Sequence, residues 1–144
     1  MAAVLALSYC FDDNIAVWMH IGKNQILSIG GLQSHCQIHT DLYCIARAAS
    51  YSSLNETIYV SNESVLKHLL EISSYDIDVK CIPYLHFFNT HEKHWRSIIT
   101  HSKKKKLFYK KYDINSPVYS KAHKYAVNWC ANNRGKFLHD PDYK

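Results

Sequence analysis

Long hydrophobic runs are missing from this 144-residue sequence. The longest uncharged apolar run, Met1 to Leu7, is too short to cross a bilayer and lacks the basic start and cleavage pattern of a secretory signal. Glycine occurs only four times, and no stretch has the glycine-rich GxxxxGK[ST] pattern that binds nucleotide phosphates. We therefore expect no membrane partner and no nucleotide hydrolysis, in a protein of the cytoplasm or nucleus.

Cysteine is present without a pattern that would assign it a role. The cysteines are odd in number and irregularly spaced, unlike the disulfide framework of a small secreted domain. None has the surroundings of a catalytic thiolate paired with a general base. The sequence predicts reduced, mostly buried thiols at Cys10, Cys36, Cys44, Cys81 and Cys130.

The densest group of potential soft-metal ligands lies between residues 35 and 44. Zinc favours four nitrogen, sulfur or oxygen donors in a tetrahedron, and the spacing here does not match two ligand pairs. A loop followed by a helix start with a buried cysteine is the simpler interpretation. We therefore predict no metal site and no resident cofactor among His35, Cys36, His39, Asp41 and Cys44.

Positive charge is what the sequence has in excess. The formal net charge is +5 with a pI near 8.9, and the run Lys103 to Lys106 holds much of it. Basic and aromatic residues alternate from Lys93 to Tyr112, which favours a polyanionic partner with the aromatic rings in the core. A solvated helix end is the competing interpretation of the lysine run. The residues expected to contact phosphates are Lys93, Arg96, Lys103, Lys104, Lys105, Lys106, Lys110 and Lys111.

Hydrophobic periodicity predicts alternating strands and helices in one α/β domain. Hydrophobic residues make up 47% of the chain, enough for a continuous core. We expect a domain at residues 1–133 and a polar tail at 134–144. Helices are expected to open near Thr40, in the capping run Ser61 to Ser64, at Thr90 and at Pro117. Strands are expected at Ala3–Leu7, Ile15–Ile21, Gln25–Ile29 ending at Gly30-Gly31, Thr57–Val60, Ile77–Ile82 and Leu107–Tyr109.

Four local patterns, in this order, resemble the ribonuclease H family. His39 to Ala48 resembles its first core helix, and Thr57 to Leu66 resembles its strand ending in a Thr-Asp-Ser step with the following helix. Lys93 to Ile99 resembles its tryptophan-bearing basic helix, and Ser120 to Ala126 falls where its final helix lies. The resemblance covers residues 3 to 131 and implies a five-stranded mixed sheet with helices on both faces.

The resemblance also implies where a ribonuclease would carry its carboxylates. Family members cut the RNA strand of an RNA–DNA hybrid with two divalent metal ions, which require oxygen ligands. Only one of the implied positions still holds an acid, so we expect a degenerate site with no catalytic residue. The implied positions are Ser8, Asp41, Asn62 and His123.

Magnesium or manganese is expected only if nearby acids rebuild the site. The acids that the resemblance places near the same end of the sheet are Asp12, Asp13, Glu63 and Asp113.

Three functions follow as expectations. The first is a catalytically inactive ribonuclease H-like module, a pseudoenzyme that binds RNA or an RNA–DNA duplex through phosphate contacts and shape. The second is a protein-interaction or homo-oligomeric scaffold in a viral or retroelement-derived complex, with exposed tyrosines as anchors. The third is a metal-dependent ribonuclease with rearranged acids. The abundance of Tyr, Asn, Lys and Ile fits an AT-rich, viral coding sequence.

Overall fold

The computed structural model describes residues 1–7, 14–22, 25–34, 36–74, 91–113, 115 and 117–133. Five strands and four helices lie in these ranges. In chain order they are β1 (Ala2–Ala6), β2 (Ile15–Gly22), β3 (Gln25–Gln33), α1 (Gln37–Tyr51), β4 (Thr57–Val60), α2 (Glu63–Ser74), α3 (Glu92–Lys105), β5 (Phe108–Lys111) and α4 (Pro117–Asn133).

The strands form one mixed sheet in the order β3-β2-β1-β4-β5. β1, β2 and β3 make an antiparallel meander, whereas β4 is parallel to β1 and β5 is parallel to β4. The carboxyl ends of β1, β4 and β5 therefore lie at one edge of the sheet, which we call the carboxyl edge. The expected five-stranded mixed sheet is confirmed.

Helices cover both faces of the sheet. On one face, α1, α2 and α3 pack against alternate strand residues such as Val4 and Ile58. On the other face, α4 packs against the strand residues whose side chains point the opposite way, such as Leu5 and Val17. This alternation follows from the two-residue period of a strand, and it makes the sheet the centre of two hydrophobic clusters.

Strand β3 continues through two glycines at which the sequence predicted its end. Trp18 pairs with Gly30 across the strands, and a Cβ on Gly30 would lie 2.6 Å from the indole ring. The same indole stacks on Tyr51 of α1, with ring centroids 5.3 Å apart. Gly30 therefore provides room for a large aromatic side chain inside a strand, where the sequence indicated a turn.

Two helices differ from the prediction. α1 begins at Gln37, about one turn before Thr40. Its apolar residues at helical spacing, Leu42, Ile45, Ala46 and Ala49, are buried. In the part of α4 whose side chains are described, residues 120–133, the buried side chains recur every fourth residue, at Ala122, Ala126 and Cys130. Tyr125, one residue before Ala126, lies about 100° away around the helix axis and is exposed.

The remaining predictions divide between the described and undescribed parts of the chain. Cys44 and Cys130 are buried free thiols, as predicted, and Cys36 is a half-buried one. The predicted strand Ile77–Ile82 and the tail at 134–144 lie outside the described residues. None of the helices that the structure describes is long and apolar enough to cross a membrane.

Candidate functional site

Asp41 lies at the carboxyl edge, on the second turn of α1, with only 1% of its surface exposed. Asn62, which follows β4, donates its Nδ2–H to Asp41 Oδ2 at 2.5 Å. Gln37 donates from Nε2 to Asp41 Oδ1 at 3.0 Å and also to the carbonyl of Ile15, at the start of β2. Two amide groups therefore hold this buried carboxylate against the ends of the central strands.

The orientation of the Asn62 side chain is set by helix α2. Its Oδ1 accepts hydrogen bonds from the backbone N–H groups of Ser64 at 3.1 Å and Val65 at 3.3 Å, which is the geometry of an N-cap. With the oxygen engaged in the cap, the amide nitrogen must point away from the helix and toward Asp41. The capping role predicted for the run Ser61 to Ser64 is confirmed.

The environment of Asp41 alters its acidity. Burial raises the pKa of the carboxyl to about 6, because loss of water disfavours the charged form, while the hydrogen bonds from Asn62 and Gln37 act in the opposite direction. Amide donors, rather than an additional positive charge, stabilise the carboxylate here. These two hydrogen bonds stabilise a buried carboxylate at the carboxyl edge.

Two of the four positions implied by the ribonuclease H resemblance, Asp41 and Asn62, are therefore in direct contact. Ser8 lies outside the described residues. His123 lies half-buried on α4, where burial lowers its pKa. The sequence separation of 21 residues between Asp41 and Asn62 is bridged by α1 and β4.

The two other expected acids that the structure describes, Glu63 and Asp113, have partners other than Asp41. Glu63 is exposed and pairs with Lys111 Nζ at 2.5 Å, which lowers the pKa of the carboxyl. Asp113, after β5, is exposed and accepts the backbone N–H of Asn115. Asp12 and Asp13 lie outside the described ranges. Within those ranges, no three His, Cys, Asp or Glu side chains are arranged to hold a metal ion.

A histidine cluster joins α1 to α3, and sequence reasoning missed it. His39 is 2% exposed, and its Nδ1 lies 3.1 Å from His94 Nε2. The ring of His91 lies 5.8 Å from that of His39, between centroids, and burial lowers the pKa of His91. Tyr43 meets His94 edge-on at 6.0 Å. His39 was grouped by spacing with its chain neighbours from 35 to 44, whereas its ring contacts His91 and His94, which lie more than 50 positions later in the chain.

Four of the predicted phosphate-contacting residues line one exposed face of α3. At 100° per residue, Lys93, Arg96, Lys103 and Lys104 fall within about 100° of one another around the helix axis. We call this set the basic stripe. At 1.5 Å per residue it extends for roughly 16 Å. Arg96 also pairs with Glu92 at 2.8 Å, one turn earlier.

The other four predicted basic residues differ from one another. Lys105 is half-buried and donates from Nζ to the carbonyls of Ala49 at 2.9 Å and Ser50 at 2.6 Å, at the end of α1. Lys111 is the partner of Glu63 described above. Lys106, in the left-handed conformation with φ 53°, ends α3, and Lys110 is exposed on β5.

The aromatic residues of this segment are mostly in the core, as expected. Trp95, Tyr109 and Tyr112 are buried. The Tyr109 hydroxyl lies 2.5 Å from Ser102 Oγ, and burial raises the pKa of Tyr109 to about 12. Phe108, which the sequence analysis placed in the core, is 55% exposed. It is the first residue of the edge strand β5, and it points to the face of the sheet opposite to that of its buried neighbour Tyr109.

Comparison with known proteins adds no relative to this description. No family model matches the chain, and no curated protein matches it significantly.

Proposed function

We propose that this protein is a catalytically inactive ribonuclease H-like module that binds RNA or an RNA-containing duplex through phosphate contacts. Two observations support the ribonuclease H part of the proposal. The element order, a three-strand meander followed by alternating helices and parallel strands, is the order that the resemblance implies. Asp41 and Asn62, paired only by that resemblance, lie in contact.

The basic stripe is the observation that carries the binding function. Lys103 and Lys104 are exposed and, among the described residues, have no acidic partner. DNA carries one phosphate per 3.4 Å along each strand, so a stripe of roughly 16 Å faces about five phosphates of a single strand. A row of cations on a rigid helix suits backbone contacts, which position a nucleic acid without reading its sequence.

The contact between Asn62 and Asp41 supports the absence of catalysis. A two-metal site needs several carboxylate oxygens around the ions, and here an amide N–H occupies one side of Asp41. Fewer carboxylates at the carboxyl edge also mean less repulsion of a phosphate that approaches it. The loss of the acids therefore favours binding without cleavage.

The proposal places the protein in the cytoplasm or nucleus, where its ligand would be found. The buried free thiols of Cys44 and Cys130 fit a reducing compartment.

A mobility-shift titration across a salt series tests this function. RNA duplex, RNA–DNA hybrid and DNA duplex are compared, with manganese added in parallel to detect cleavage. The double variant Lys103→Ala/Lys104→Ala should bind more weakly and lose about 1.5 to 2 from the slope of log affinity against log salt concentration. Lys121→Ala/Lys124→Ala, which removes the same charge from exposed positions of α4, is the control and should keep the wild-type slope.

Each other outcome of the titration has a defined meaning. Equal slopes for the two double variants would exclude the basic stripe as the contact surface. Manganese-dependent cleavage would identify a nuclease. No binding at low salt, together with a defined oligomer in light scattering, would identify a protein scaffold.

A further inference from the structure

The two faces of strand β5 differ in what their side chains contact. Tyr109 and Lys111 point toward the side of α2 and α3, where Tyr109 is buried beside Ser102 and Lys111 pairs with Glu63. Because successive side chains alternate, Phe108 and Lys110 point to the opposite side. One face of β5 is therefore occupied by contacts within the fold, and the other presents one aromatic ring and one cation.

Helix α4 leaves this second face of β5 partly open. α4 and the meander bury Tyr112, at the far end of β5, but 55% of Phe108 stays exposed. Across the strand, Phe108 pairs with Thr57 and Lys110 pairs with Tyr59. The edge strand thus presents a phenylalanine ring that is more than half exposed, with an exposed lysine two residues along the strand.

Lys106 connects this surface to the basic stripe. It ends α3 in the left-handed conformation, and the next N–H, that of Leu107, donates to the carbonyl of Ser102 and turns the chain sharply into β5. The exposed residues Lys104, Lys106 and Lys110 therefore belong to the end of α3, the turn and β5, respectively. We call Lys106, Phe108 and Lys110 the aromatic edge.

We propose that the aromatic edge binds single-stranded nucleic acid, with one base stacked on Phe108 and the adjacent phosphates against Lys106 and Lys110. Stacking on a protein ring requires an open base face, which neighbouring bases cover inside a duplex. In a single strand each base is linked to phosphates on either side, so a stacked base brings phosphates near the lysines that flank Phe108 in sequence. This inference rests on the proposed function and adds that the preferred ligand is unpaired, in RNA or in DNA.

Fluorescence anisotropy with four labelled 12-mers tests the inference. The probes are oligouridine RNA, oligothymidine DNA, an abasic deoxyribose strand of equal charge, and an RNA duplex. Phe108→Ala should weaken binding of the two base-containing single strands roughly tenfold, the size typical of one stacked base. It should leave the abasic strand unchanged, and Phe108→Trp should restore affinity. Leu27→Ala, at a 56% exposed position on the opposite edge strand, is the matched control.

The outcomes separate this inference from the function on which it rests. If the wild-type protein binds the abasic strand as tightly as oligothymidine, or if Phe108→Ala binds both base-containing strands normally, stacking is excluded while phosphate binding stands. If no probe binds at low salt, the proposed function itself fails. If the RNA duplex binds as tightly as oligouridine, the preference for an unpaired strand is overturned. Thermal melts of Phe108→Ala should match the wild type, since the ring is largely exposed.

Discussion

Replacing Asp41 with Asn removes a buried titratable group while keeping the shape of the side chain. The folded protein holds the pKa of Asp41 near 6, above the value of 3.8 for an unperturbed carboxyl. The native state therefore binds this proton more tightly than the unfolded state does. The stability that Asp41 contributes is fully present below pH 3.8 and is lost as the pH rises through 6.

The shift sets the size of the effect. One pKa unit corresponds to 1.36 kcal/mol, so complete ionisation of Asp41 costs about 3 kcal/mol of folding free energy, of which about 2.4 kcal/mol falls between pH 4 and pH 7. Asn at this position does not titrate. It offers one acceptor oxygen to the two amide donors Asn62 and Gln37, which adds a cost independent of pH. The prediction therefore concerns how the stability difference between the two proteins changes with pH, and not its constant part.

Urea unfolding of both proteins at several values between pH 4 and pH 8 measures this change. The stability of Asp41→Asn minus that of the wild type should rise by about 2.4 kcal/mol from pH 4 to pH 7. Burial lowers the pKa values of His91 and His123, so protonation of these residues destabilises both proteins as the pH falls. This contribution is the same in both proteins and cancels when one stability is subtracted from the other. A difference that stays constant across the range would refute the conclusion that burial dominates the acidity of Asp41.

Three further changes have expected outcomes. Asn62→Asp keeps a capping oxygen for α2 but places a second carboxylate against Asp41. It should therefore lower the free energy of unfolding by about 2 kcal/mol in EDTA, because the two like charges repel. Added manganese should recover part of this loss in a thermal melt. Gly30→Ala places a Cβ 2.6 Å from the Trp18 ring, and it should cost about 1–3 kcal/mol and change the near-UV circular dichroism. Lys105→Met removes the donor to two carbonyls at the end of α1 and should cost about 1–2 kcal/mol in urea unfolding. Unlike Lys103→Ala/Lys104→Ala, it should leave the salt dependence of RNA binding almost unchanged.

The strands and helices were largely predictable because their signals are local. The apolar stretches gave β1, β2 and β4 within a residue or two, and Pro117 marked the start of α4. The end of β3 was not predictable in this way. In a sequence, a glycine pair after an apolar stretch indicates a turn. Gly30 instead lies inside the strand beneath the ring of Trp18, which belongs to another strand, β2.

The site was harder to predict because its contacts join distant segments. Only a family resemblance placed Asp41 beside Asn62, and no local pattern brings His39 to His94, which lies 55 positions later. Within the lysine run, the sequence did not distinguish Lys105 from its neighbours. Its role depends on where α1 ends, which is a property of helix packing.

The side chain of Asn62 links the charge of one residue to the order of another element. Its nitrogen donates to Asp41 and its oxygen caps α2, so both ends of one amide group are engaged at once. Hydrogen bonds that share a polar group polarise one another. Protonation of Asp41 near pH 6 should therefore weaken the cap, and the amide resonances of Ser64 and Val65 should titrate with it. The amide resonances of the first turn of α2 therefore report the protonation state of a carboxyl group that is almost fully buried.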